Sequence, residues 1–270
     1  MGRPLHLLGF VAMAATLGGL IACATAPVTG RSQIMLINEK EEAALGIQAY
    51  QQLAATEPSV NAGGNSLVGR VGRKIAAAAE NPPDGRWKAP GFDWEFRVIN
   101  KPDINAFCLP GGKIGVYTGI LPVARDEAGL AVIMGHEVGH ALARHGGERI
   151  SQQLVAQLGQ AAAAAALSRA TKGDPSFSPM IRQALGVGVQ VGFLLPMSRN
   201  QESEADRIGL ILMAIAGYDP HAAIGLWERM RAASGGRGGP EFLRTHPTET
   251  TRIADIQSHL PEAMKYYKPR

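Results

Sequence analysis

Apolar positions fall into blocks of differing period along the chain, and the periods separate helices from strands. Residues 5–22 form a nearly continuous apolar run, interrupted by His6 and three glycines and barely long enough to span a bilayer. Asn38 followed by Glu41 is a capping-box pattern that opens a helix over about 39–54. A second helical pattern covers 66–80, and residues 81–92, with three prolines and two glycines, read as a loop. Residues 92–100 (FDWEFRVIN) alternate as a strand does, and 113–120 (KIGVYTGI) predict another, entered through a Pro110-Gly111-Gly112 turn. From 126 to 145 the pattern is helical. Residues 146–197 combine an alanine run (161–166), a breaker cluster (173–179) and an apolar run (185–195). They read as two buried or partner-facing helices joined by a loop rather than a membrane insertion, since neither run has the uninterrupted length of a spanning helix. The region as a whole is expected to cover the cleft as a movable lid or partner surface. Helical patterns return over 199–217 and 219–234, followed by a flexible link (SGGRGGP, 234–240) and a last amphipathic helix starting near Thr248.

Composition narrows the class. With 270 residues, 46% apolar and 19% charged, the chain reads as one globular domain with a small appendage. The net charge of +4 is modest, and the basic residues are scattered without interleaved aromatics, which argues against nucleic acid. The N-terminus reads as an address: Arg3, the apolar run, then Leu20-Ile21-Ala22-Cys23, which resembles the lipobox of bacterial lipoproteins. On that reading 1–22 is a signal peptide, Cys23 carries the lipid, 23–36 is a tether and 37–270 is the main domain. A plain transmembrane anchor is the alternative. Ala24 after the lipidated cysteine is compatible with the outer membrane, and Cys108 is left as a free thiol with no intrachain disulfide.

The chemistry enters at His136-Glu137-Val138-Gly139-His140, an H-E-x-x-H pattern. Positions four apart share a helix face, so both imidazoles reach one ion. Glu137, rotated by roughly 100°, stands beside that ion, where it can take a proton from the attacking water. Zinc suits imidazole and carboxylate donors, lowers the pKa of its bound water to about 7 and polarises a carbonyl. Such a centre needs a third protein ligand. The extended form H-E-x-x-H-x-x-G-x-x-H is closed here, because Ala143 and Gly146 stand at its glycine and histidine positions. The other solution is a Glu on a later helix followed one turn on by an Asp, and Glu202 with Asp206 has that form. Glu202 then binds the metal and Asp206 holds the far nitrogen of a ligand histidine, most naturally His136. Glu204 is turned away from Glu202, and His145 lies about 140° round the helix from His140, outside the ligand set. His221 and His259 read as surface residues.

These residues, with PVTGRSQIML (27–36), NAFCLPGGKIGVYTGIL (105–121), MGHEVGHALARH (134–145) and MSRNQESEADRIGL (197–210), resemble the HtpX-type gluzincin metallopeptidases, whose members include periplasmic outer-membrane lipoproteins. The resemblance implies an α+β fold, mostly helical, with a small antiparallel sheet beside the active-site helix. It implies one Zn2+ per chain, polypeptide substrates, a membrane contact through the lipid anchor and partners in outer-membrane protein assembly. It also implies an edge-strand role for 113–120, pairing with extended substrate, and a role for His246 at its His-Pro step, either steadying the oxyanion or occupying the open metal position in a latent state. The expected function is a periplasmic endopeptidase acting on misfolded or exposed polypeptides. A chaperone-like assembly lipoprotein with a structural or latent zinc site is the alternative.

Overall fold

In the computed structural model, residues 23–63, 66–85, 87–88, 90–170, 197–233, 241–246 and 251–269 are described. The expected export signal, the breaker cluster and apolar run after residue 170, the 234–240 link and the Thr248 helix start lie outside them.

The α+β class holds, with helices dominating and a four-stranded sheet against the central helix. That sheet contains β3 (Ser59–Asn61), β4 (Glu95–Ile99), β5 (Ala106–Leu109) and β6 (Lys113–Tyr117), in the order β3-β4-β6-β5. It is mixed, not antiparallel throughout. The β5–β6 hairpin turns at Pro110-Gly111-Gly112, where Gly111 and Gly112 adopt φ of 87° and 82°, and its second strand slots beside β4. A hairpin added that way makes β4 and β6 parallel, with Glu95 opposite Lys113 and Ile99 opposite Tyr117. The edge-strand role expected for 113–120 is therefore corrected: β6 is interior and buried along its length, and β5 is the edge strand beside it.

Helix α1 (Glu39–Thr56) starts at the Asn38/Glu41 capping box, and α2 (Leu67–Glu80) is capped by Ser66. After the one-turn α3 (Leu121–Ala124) comes α4 (Glu127–Leu142), capped by Asp126 and buried at every residue from Gly129 onward. Its apolar side chains, Leu130, Ile133, Met134 and Val138 among them, are the centre of the core. A helix apolar on all sides is stable only when covered on all sides, and α2, β5, α6 (Arg199–Ile215) and α7 (Ala222–Ala233) supply the cover.

The α4–α6 contact is the most extensive between helices among the described residues, and it is close. A Cβ on Gly139 would lie 2.7 Å from the Ala205 carbonyl oxygen, and one on Gly209 would lie 2.7 Å from the His136 amide nitrogen. Glycine is what lets these backbones meet. Helix α6 itself begins sharply, because Ser198 and Gln201 form a capping box just ahead of Glu202.

Two further expectations change. Helix α4 ends at Leu142, not at His145: Arg144 turns the chain with φ of 59°, and α5 (His145–Ala170) sets off in a new direction. Residues 23–34, expected as part of a tether, form a hairpin of β1 (Cys23–Thr25) and β2 (Ser32–Ile34) closed by Ala26 N–H to Arg31 O at 2.8 Å. The short α8 (Glu241–Thr245) leads to His246, and α9 (Arg252–Ala263) packs on α6 and α7. No helix among the described residues is long and apolar enough to cross a membrane.

Candidate metal centre

His136 and His140 project from the same face of α4 with their Nε2 atoms 3.0 Å apart. Glu202, in the first turn of α6, closes the third corner, with Oε2 3.5 Å from His136 Nε2 and Oε1 3.5 Å from His140 Nε2. His246, at the end of α8, adds a fourth donor: its Nδ1 is 3.2 Å from His136 Nε2 and 2.9 Å from Glu202 Oε1. All four side chains are buried, and one ligand atom from each lies within 4.8 Å of every other. Ligands held 2.0–2.1 Å from a tetrahedral ion stand roughly 3.3–3.4 Å apart, so these donors already have the spacing of a coordination shell. The donor chemistry, three imidazoles and a carboxylate, fits a metal ion. Among the four, His246 was placed by resemblance only, and the structure brings it to the ligand corner.

Glu137 lies beside this cluster, buried, and its Oε1, 3.6 Å from His246 Nε2, has no hydrogen-bond partner among the described residues. Burial pushes its carboxyl pKa up, and the nearby His246 and His136 only partly oppose that. Burial acts the same way on Glu202, yet His246 and His140 outweigh it and hold that carboxyl well below its ordinary range. His140 is driven well down, first by burial and then by His136, so its imidazole is neutral, as a ligand must be. A cleft of about 410 Å³ opens onto Glu137, His140 and His246 and is walled by apolar side chains such as Leu53, Phe107 and Met197.

The far side of His136 is braced at one remove. Its Nδ1 is 2.8 Å from Asp206 Oδ1, the pairing its one-turn spacing from Glu202 suggested. Arg252, which the sequence reading did not single out, locks this pair to the ligand Glu202. It donates through Nε to Asp206 Oδ2 (2.9 Å), through Nη2 to Asp206 Oδ1 (2.8 Å) and through Nη1 to Glu202 Oε2 (2.8 Å). Its guanidinium lies 3.6 Å above the Trp227 ring. Burial opposes the charge of Asp206, but Arg252 and His136 keep its carboxyl low. An isolated arginine on a late amphipathic helix carries no motif, so only its place six residues after His246 hinted at the site.

The far side of His140 is built differently. His145 is not a ligand, but neither is it a bystander, because the turn at Arg144 swings it back under His140. Its Nδ1 is 2.8 Å from His140 Nδ1 and its Nε2 is 3.0 Å from Glu204 Oε2. Glu204 also accepts from Thr29 Oγ1 and from Arg31 Nε at 2.5 Å. Burial works against its charge, but His145, Thr29 and Arg31 together bring its pKa down to about 2. Of the other histidines, His221 is exposed beside Asp219, and His259 is half-buried with Nε2 3.3 Å from Ser203 Oγ.

Residues 65–260 match Peptidase family M48. The chain is 44% identical over 171 residues to mitochondrial metalloendopeptidase OMA1 of Schizosaccharomyces pombe, which covers 63% of this chain and 48% of that protein. It is 32% identical over 256 residues to the OMA1 of Saccharomyces cerevisiae, covering 90% and 70% respectively. To the beta-barrel assembly-enhancing protease of Escherichia coli it is 27% identical over 241 residues, covering 87% of this chain and 47% of that one. It thus spans about half the length of two of these three relatives.

Proposed function

Since this chain belongs to peptidase family M48, we propose that it is a zinc-dependent endopeptidase cutting misfolded or exposed polypeptide at the periplasmic face of an outer membrane. The convergence of His136, His140 and Glu202 from two distant helices, with Glu137 buried at its side, carries this reading. The three hold the metal, which when bound would acidify the attacking water and polarise the scissile carbonyl. Glu137 does the proton work. It stands in the cleft, its basicity raised by burial, accepts a proton from the attacking water and returns it to the departing amine. The free edge of β5, whose residues Ala106–Leu109 line the same cleft, suits an extended substrate adding as a further strand. Main-chain pairing of that kind gives affinity with little sequence preference, as disposal of damaged chains requires.

The cellular setting rests on the lipobox-like Leu20–Cys23. A relative named for enhancing β-barrel assembly supports an envelope role, whereas the OMA1 relatives are named as mitochondrial. Lipid on Cys23, read by mass spectrometry of the membrane fraction, supports the anchor. A Cys23→Ala chain that fractionates unchanged counts against it.

The deciding experiment is Glu137→Gln. It should keep one zinc per chain and lose cleavage of an unfolded protein. Equal cleavage by this variant would rule out the proposed chemistry. A second reading has its own observation: His246 fills the fourth corner, and four protein donors are the pattern of a structural or latent centre. For turnover His246 must then withdraw, so His246→Ala should raise peptide cleavage. If instead Glu137→Gln cells behave as wild type while His140→Ala cells do not, the metal serves structure and the chain acts as an assembly factor.

A further inference from the structure

Beyond His140 the hydrogen bonds form a chain in which each proton position dictates the next. We infer that Thr29 and Arg31 of the N-terminal hairpin are positioning residues of the metal centre, acting on the ligand His140 through Glu204 and His145. His140 offers Nε2 to the cluster, so its proton sits on Nδ1 and is donated. The acceptor is His145 Nδ1 at 2.8 Å. His145 must therefore be protonated on Nε2, which donates to Glu204 Oε2 at 3.0 Å. Reversing either imidazole sets two N–H groups against each other or places the proton of His140 on the metal-binding nitrogen. His145 is fully buried, so water cannot repair such a mismatch.

The carboxylate that fixes this order is held by the hairpin. Arg31 Nε and Thr29 Oγ1 both donate to Glu204. The other edge of the guanidinium donates to Glu148, Nη1 to Oε1 at 2.9 Å and Nη2 to Oε2 at 2.7 Å, and Gln201 Nε2 donates to Glu148 Oε2 at 2.8 Å. Gly30, between them at φ of 72°, shapes the turn that brings residues 29 and 31 to one carboxylate. The motif Thr29-Gly30-Arg31 thus belongs to the metal centre, although it lies more than a hundred residues from the first ligand.

The inference rests on metal binding at the centre and is independent of whether the chain cuts peptides. Its test is the Zn2+ dissociation constant, by chelator competition, and the visible spectrum of the Co2+-loaded full chain. Arg31→Ala and Glu204→Gln should weaken Zn2+ binding by about tenfold and shift the Co2+ bands, and His145→Phe by about 10–100-fold. His145→Gln, whose amide accepts from His140 and donates to Glu204, should recover most of the loss. Arg31→Lys, which keeps the charge without the planar fork, should fall between wild type and Arg31→Ala, and it decides the matter if Arg31→Ala does not fold. Unchanged affinity and spectrum in the Arg31 and Glu204 variants would overturn the inference, as would a His145→Gln chain no better than His145→Phe. Wild-type chain that binds no Zn2+ would overturn the metal reading itself, a separate result.

Discussion

His136 and His140 sit one turn apart on one helix, yet the two flanks of the centre are supported in opposite ways. His136 meets its carboxylate directly, and Asp206 comes from the same helix as the ligand Glu202. His140 reaches its carboxylate through a second imidazole, and Glu204 is steadied from an N-terminal hairpin. One flank is sealed inside the core, with the Arg252 side chain 6% exposed; the other ends in Arg31, 26% exposed. A buried ion pair is dangerous to break because the surviving charge has no solvent, whereas a partly exposed one can be rehydrated.

The sharpest test of that contrast is Asp206→Ala against Glu204→Ala. Losing Asp206 leaves Arg252 in the core with Glu202 as its one remaining carboxylate and two donors unmet, and should cost about 3–5 kcal/mol in urea unfolding of the metal-free chain. Losing Glu204 should cost less, about 1–3 kcal/mol, mostly from the unmet His145 donor. Equal losses would erase the distinction drawn here. Metal itself should add most stability where both flanks are intact. At a free Zn2+ concentration of 1,000 times the dissociation constant the gain is about 4.1 kcal/mol, seen as a chelator-sensitive rise in Tm, and it should shrink in either variant.

The helix contact beneath both flanks predicts a smaller effect. Gly209→Ala puts a methyl against the His136 backbone and should destabilise by about 1–3 kcal/mol, with Zn2+ affinity falling too, because α6 carries Glu202 away from α4. Full affinity in a destabilised Gly209→Ala chain would show that the donors do not depend on close helix approach. The mildest change is Thr29→Val, which removes one hydrogen bond to Glu204 and should cost about 0.5–1.5 kcal/mol, with little change at the His136 flank by the NMR shifts of its ring.

Much of this was legible in advance where local rules govern. Asn38 with Glu41 marked a helix start because a cap is settled within four residues. The i, i+4 spacing of His136 and His140 sufficed to put two imidazoles on one face, and the same spacing from Glu202 to Asp206 suggested how the second helix would serve the first. Strand order escaped that logic, since Lys113–Tyr117 reads as an ordinary strand until the β5 hairpin lodges it in the sheet interior.

The chain's own residues determined the chemistry on offer: two imidazoles and a base in one turn, a carboxylate pair in another, and a glycine wherever those turns had to touch. Only the folded molecule decided which distant groups would hold that chemistry in place. Arg144 in a left-handed conformation returned His145 to the site, Arg252 entered from the last helix, and Arg31 came from a segment that read as a tether. Helical spacing is written in the sequence because the backbone repeats every 3.6 residues. Contacts between elements follow from packing and charge satisfaction across the whole chain, and no local period records them.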